Sequence, residues 1–407
     1  MEYRADGAAQ AAAALHFLCT ELPTRTLGTE GNRRATQFVE AHLAASGWRT
    51  ERQVFDCLEW LYAGANLSAG EAEWPVLPGP WSLPCNVEAA LFACATVEEI
   101  EAAPDLSGRI LLLHGPITAE QLMPKRFPFY NPDEHQRIYT AVESKRPAAV
   151  VAATARNPSL AGGIYPFPLF EDGDFDIPSA YMTDVEGVRL LAAAPALVRL
   201  EVCSQRRPTT GWNVVARKGS SFANPIVLCA HIDAKKGTPG ALDNAAGVVT
   251  LLLAAELLSA YEGEQGVEVV IFNGEDNYAA AGEIEYLRRL GPAVRNVRFA
   301  INVDGAGNRD NAIAWSLYGC PPMIEERVRA NLIERPNFVE GEVWYQSDHA
   351  MFVQAGVPAL AFTTDNFAQV WAQIAHTAAD TPELVDCGAL VGLAHTIHHI
   401  VHVIVAG

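Results

Sequence analysis

From Trp212 onward, short apolar runs alternate with helical stretches, and several of the runs end on ionisable residues. Val214–Val215–Ala216, Ile226 to Ala230, Val267 to Phe272, Phe299 to Val303 and Ala359 to Thr363 have the length and composition of buried strands. The stretch Ala245 to Ala260 reads as a strongly apolar helix, with further helical stretches between the later strands. This alternation predicts an α/β fold, with a mixed, largely parallel sheet flanked by helices. In such open sheets ligands bind beyond the carboxyl ends of the strands. Three strands deliver charge to that edge: Ile226–Ala230 runs into His231–Ile232–Asp233, Val267–Phe272 into Asn273–Gly274–Glu275–Asp276, and Phe299–Val303 into Asp304.

The chain before Trp212 divides in two. Residues Asn32 to Ser46 place Ala35, Phe38, Val39, His42 and Leu43 at helical spacing, Gly47 stops the helix, and Arg49 to Phe55 reads as a strand. From about Cys57 to Arg206 the texture changes to dense prolines and glycines and short apolar runs, such as Ile110 to Leu113 and Ala148 to Ala153. At 407 residues the chain exceeds one typical core. The expected organisation is one domain from residues 1–56 and 207–407, interrupted by a β-rich insertion at 57–206.

Each charged residue at the strand ends has an ordinary reading. An Asp after a strand is often a turn former or helix cap, so Asp304 and Asp243 need no function by themselves. A lone His376 is commonly a surface or core residue, and a Glu–Asp pair is commonly a solvated loop. The joint pattern weighs against independent accidents. Concentrated carboxylates repel one another and are tolerated beside cations. A mixture of histidine and carboxylate donors suits zinc, with cobalt or manganese as alternatives.

The segments His231–Ile232–Asp233, Gly240–Ala241–Leu242–Asp243–Asn244–Ala245–Ala246–Gly247, Gly274–Glu275–Asp276, Asn302–Val303–Asp304, Ser347–Asp348–His349 and His376 to Thr381 resemble, in order and spacing, the motifs of the M28 metallopeptidases. Gly28–Thr29–Glu30–Gly31–Asn32 before a helix is similar to the same family, and 57–206 resembles the protease-associated domain that some members carry. The resemblance implies a metallo-exopeptidase with two divalent ions, zinc by expectation, acting on short peptides. It implies His231 and Asp304 on one ion, Asp276 and His376 on the other, Asp243 bridging both, and Glu275 as general base. Asp233 would support His231, as metal-bound histidines require. Trp344 and Tyr345, just before Ser347–Asp348–His349, are candidates to line the substrate pocket. One departure stands out: the family pattern usually has a second Glu where this chain has Asp276, a side chain one methylene shorter.

Rival readings keep the same site. A carboxypeptidase or dipeptidase would need cations for the substrate carboxylate, and Arg207, Lys235 and Lys236 are the basic candidates near the motifs. A cyclotransferase would use one zinc, and a non-catalytic binding homologue would need none of the chemistry. The net charge of -19 argues against nucleic acid and anionic membrane partners. No apolar run reaches the roughly 20 residues that span a bilayer. Ala8 to Cys19 lacks the basic flank of a signal peptide, and the eight cysteines include no CxxC pair. Reduced thiols and a cytoplasmic setting are the expectation. His395, His398, His399 and His402 share one helix face without a carboxylate to complete a set, so they read as a helix face rather than a metal site. A homo-oligomer is left open.

Overall fold

The computed structural model describes residues 5–22, 24–128, 130–172, 175–277 and 280–406. The chain forms two compact units, Met1–Cys57 with Thr210–Gly407, and Leu58–Thr209.

In the first unit the sheet runs in the order Phe338–Glu340, Ile313–Tyr318, Ala359–Thr364, Phe299–Val303, Ser221–His231, Gln265–Phe272 and the end of Val198–Lys218. The four strands at its centre, Ala359–Thr364, Phe299–Val303, Ser221–His231 and Gln265–Phe272, are mutually parallel. Ile313–Tyr318 and Val198–Lys218 flank them antiparallel. Burial along the central strands is continuous rather than alternating, as expected of strands covered on both faces. The register places Phe272 beside His231, and Val303 beside Phe362. The carboxyl ends of three central strands therefore come level with one another.

The helices explain their own apolarity by packing. Ala246–Leu257 is buried over ten consecutive residues, which accounts for a sequence with almost no polar face. The terminal helices Ala5–His16 and Cys387–Val405 contribute Leu15, Leu390, Leu393, Ile397 and Ile400 to the same core. Cys387–Val405 is, at 19 residues, long and apolar enough to meet the length and composition of a membrane span. Ten of its residues are buried in the protein interior. Of its histidines, His399 bonds Asn331 and His398 lies against His402.

The Leu58–Thr209 unit is richer in helix than the sequence suggests. Cys85–Cys94, Arg109–Leu113, Ala149–Thr154 and Ser179–Thr183 form consecutive parallel pairs. The helices Val97–Ala102, Asp133–Lys145 and Asp184–Ala193 lie between or after them in sequence. Parallel pairing requires crossover connections of this kind. Asp133–Lys145 buries Ile138, Tyr139, Ala141 and Val142 on one face. All eight cysteines are free thiols.

Candidate metal centre

His231 ends its strand at the carboxyl edge, and its side chain is buried. Its Nε2 lies 3.2 Å from Asp243 Oδ1 and 3.6 Å from Asp304 Oδ1. On the other side, His376 Nε2 lies 3.1 Å from Asp243 Oδ2 and 2.9 Å from Asp276 Oδ1. The two oxygens of Asp243 thus face two different histidines, each with one further carboxylate. All five expected ligand residues are brought together, although they span nearly 150 positions of chain. His231, Asp243 and Asp276 can each offer one donor atom within 4.8 Å of the others.

Electrostatics in this cluster favour positive charge. Burial opposes the charged form of His376, but Asp276 and Asp243 outweigh it and push it up to about 10. His231 is raised well above its usual value despite burial, by Asp233, Asp243 and Asp304. Asp243 is held well below the carboxylate range: burial opposes ionisation, and the two histidines overcome it. Asp276 moves up instead, first through burial and then through Asp243. Both ring nitrogens of His231 and Oδ2 of Asp276 are buried without a hydrogen-bond partner. Orphaned donors of this kind, in a mixed nitrogen and oxygen set, fit a divalent ion such as zinc. Glu275 lies beside this group. Burial drives its carboxyl well above the usual value, helped by Asp276 and opposed by His231.

The loops that present these groups are tied from behind. Asp233 accepts from Gly274 N at 2.7 Å and Glu275 N at 3.2 Å through Oδ1, and from Asp276 N at 3.0 Å and Asn277 Nδ2 at 2.6 Å through Oδ2. Its distance to His231 Nδ1 is 3.8 Å, beyond hydrogen-bond reach. Asp233 still acts on His231 as a charge at ion-pair distance, and its hydrogen bonds also shape the loop that carries Glu275 and Asp276. Asp243 does not cap the following helix. Asn244 does, its Oδ1 accepting from Gly247 N at 3.0 Å while its Nδ2 donates to Val303 O at 2.8 Å. Gly247 has to be glycine, since a Cβ there would sit 2.2 Å from Asn244 Oδ1 and 2.4 Å from Val303 O.

Two supporting residues escaped sequence reasoning. Arg25 is fully buried and donates to four carbonyls, Ile232 O at 3.0 Å, Leu18 O at 2.8 Å, Pro239 O at 2.6 Å and Gly240 O at 2.8 Å. It clamps the two ends of the segment that runs from His231 toward Asp243. A lone arginine in a loop carries no pattern that announces this. Asp380 accepts from Leu242 N at 2.7 Å and Asp243 N at 3.0 Å, and so joins the His376 loop to the backbone of Asp243. Its place in the His376 to Thr381 motif was the available signal.

Trp344 and Tyr345 separate. Trp344 is buried; its N–H donates to the Tyr318 hydroxyl at 2.9 Å, which in turn donates to Trp344 O at 2.7 Å. It lines a cavity of about 430 Å³ with Ala314, Gly341, Glu342, Thr363, Asp365 and Phe367 among its walls. Tyr345 is exposed and packs on Tyr318; it is not among the walls of that cavity. His349 supports the same loop, donating through Nε2 to Trp344 O at 2.8 Å, with Nδ1 3.2 Å from Asn302 Nδ2. Arg207 is drawn off by Glu59 in the Leu58–Thr209 unit.

The family profile described as Peptidase family M28 matches residues 213–401, which contain the whole cluster. Over that segment the chain is M28-like. The "Probable leucine aminopeptidase 2" of Aspergillus fumigatus is 25% identical over 186 residues, 42% of this chain and 37% of that protein. The match thus spans little more than a third of that relative's length. Among solved structures, an aminopeptidase from Aneurinibacillus sp. strain AM-1 superposes with a TM-score of 0.75 at 19% identity, covering 97% of this chain and 93% of that one. BSAP, a zinc aminopeptidase from Bacillus subtilis, gives 0.73 at 17% identity over 97% and 94%. These two likenesses establish a shared fold along the chain.

Proposed function

We propose that the protein is a two-metal exopeptidase, an aminopeptidase that removes N-terminal residues from short peptides. The observation that carries the reading is the split allegiance of Asp243, with Oδ1 toward His231 and Oδ2 toward His376. A carboxylate between two histidine–carboxylate groups is suited to bridge two ions. His231 with Asp304 would hold one, and His376 with Asp276 the other. Names of relatives that are aminopeptidases support the same direction. The shorter Asp276 is accommodated locally, because its Oδ1 already lies within 2.9 Å of His376.

Bound divalent ions would supply an acidified water and polarise the scissile carbonyl. The remaining work belongs to the chain. Glu275, with its carboxyl raised by burial, takes the proton of the attacking water and passes it to the leaving amine. Asp233 fixes the loop on which Glu275 stands, and Asp380 and Arg25 fix the segment that carries Asp243. Trp344 forms part of the wall on the substrate side. The Leu58–Thr209 unit is assigned to the protease-associated type on its sequence resemblance.

The test pairs metal analysis with turnover. The wild-type protein should carry two ions per chain and hydrolyse aminoacyl anilides, losing activity to chelator. Glu275→Gln should keep its metal content while kcat falls by about 10²–10⁴. Near-normal turnover in that variant would remove Glu275 from the mechanism. One ion per chain would favour a cyclotransferase, and release of C-terminal rather than N-terminal residues would favour the carboxypeptidase reading.

A further inference from the structure

The cavity walled by Trp344 lies beside the metal centre within the same unit. Asp304 N donates to Phe362 O at 2.9 Å, so Thr363 is the neighbour of Asp304 on the adjoining strand. Residues at matching positions of adjacent strands project from the same face of a sheet. A Cβ on Gly305, next to Asp304, would stand 3.1 Å from Thr363 Oγ1, so the two segments approach closely there. From the other side, Trp371 packs edge-on against His376 at 5.3 Å and stacks on Phe367, a wall of the cavity, at 6.3 Å. Thr363 beside Asp304, and Phe367 through Trp371 beside His376, thus link the centre to the walls of one cavity of about 430 Å³, a size ordinary for small-ligand sites.

Its chemistry is two-sided. Trp344 and Phe367 give it aromatic walls. Glu340, Glu342 and Asp365 give it carboxylates. Glu340 is engaged by Arg329. Glu342 and Asp365 form no ion pair among the described residues. Thr363 is 5% exposed, and its Oγ1 is buried without a hydrogen-bond partner. The frame around them is held in place: Gly341 N donates to Trp315 O at 2.9 Å, Ser316 Oγ donates to Glu342 O at 2.7 Å, and Tyr318 clamps Trp344.

We propose that this cavity receives the side chain of the substrate's N-terminal residue and selects a long cationic one, lysine or arginine. The inference rests on the aminopeptidase reading of the adjacent centre. The methylene stem of either side chain packs against Trp344 and Phe367, and aromatic faces also attract cations. Its charged end meets the part of the cavity wall that carries Glu342 and Asp365. A leucine side chain would take water from these carboxylates without replacing it. A glutamate side chain would be repelled.

The test compares lysyl, arginyl, leucyl and glutamyl p-nitroanilides with the metal-loaded protein, alongside calorimetric binding of L-lysinamide and L-leucinamide. The lysyl and arginyl substrates should have the highest kcat/KM, and lysinamide should bind more tightly than leucinamide. In the double variant Glu342→Gln with Asp365→Asn, the ratio of lysyl to leucyl kcat/KM should fall about tenfold, with lysinamide binding weakened in step. A leucyl preference in the wild type, or an unchanged ratio in a variant that melts normally, overturns the proposal. If no aminoacyl substrate is cleaved but lysinamide binding is selective and sensitive to the double variant, the peptidase reading fails and the cavity assignment stands.

Discussion

Asp233→Asn isolates the role of a buried carboxylate that supports the expected ligands from behind. Each oxygen of Asp233 accepts two donors, Gly274 N and Glu275 N on one, Asp276 N and Asn277 Nδ2 on the other. An amide of the same shape must place its NH2 against one of these pairs, whichever way it is turned. Two bonds to a charged acceptor are then lost, each worth roughly 1.5–3 kcal/mol, and two buried donors are left unpaired. The expected destabilisation is about 3–5 kcal/mol, or a fall in melting temperature of roughly 6–15 °C for a unit of this size. Metal affinity should fall with it, because the same loop carries Asp276. Acid pH supplies a second signature. Burial works against the ionised form of Asp233, but His231 and the donors from Gly274 and Asn277 outweigh it and hold the carboxyl below its usual value. The unfolded chain therefore takes up this proton first as pH falls. The contribution is complete above about pH 4 and is lost as pH drops through the lower folded value. Calorimetric melting of wild type and variant from pH 7 to pH 3 should show a constant gap that narrows below about pH 4. A variant melting within about 2 °C of wild type at pH 7, with unaltered metal affinity, would refute the loop-organising role.

Gly247→Ala should disrupt the centre without touching a ligand, since the added carbon meets both Asn244 Oδ1 and Val303 O; a variant with normal metal content and normal melting would show that the helix start can shift. His349 is held down to about 4, through burial, with its Nε2 bonded to Trp344 O and its Nδ1 beside Asn302 Nδ2. Its folded value lies below the unfolded one near 6.5, so its contribution is present above that pH and is lost as pH falls toward 4, on the order of 3 kcal/mol in all. An NMR titration placing the His349 midpoint at 6 or above would contradict this.

Much of the centre was legible because its residues stand at ends of apolar strands, where local pattern and chemistry coincide. His231, Glu275, Asp276 and Asp304 each follow a run of buried residues directly, so recognising the strand locates the side chain. The supporting residues were harder because their partners are backbone groups far along the chain. Arg25 bonds carbonyls more than 200 positions away, and no local spacing encodes that. Asp233 was legible as a supporting residue from its place beside His231, but the four donors that the fold brings to its carboxylate were not.

The amino-acid order by itself determined the α/β alternation and the edge of the sheet at which charge accumulates, because hydrophobic period and strand termini are local properties. Only the tertiary structure decided that the two oxygens of Asp243 face different histidines, and that a carboxylate-rimmed cavity opens beside Asp304. Those are angstrom-scale relations between segments distant in sequence, set by strand register and by clamps such as Arg25 and Asp380.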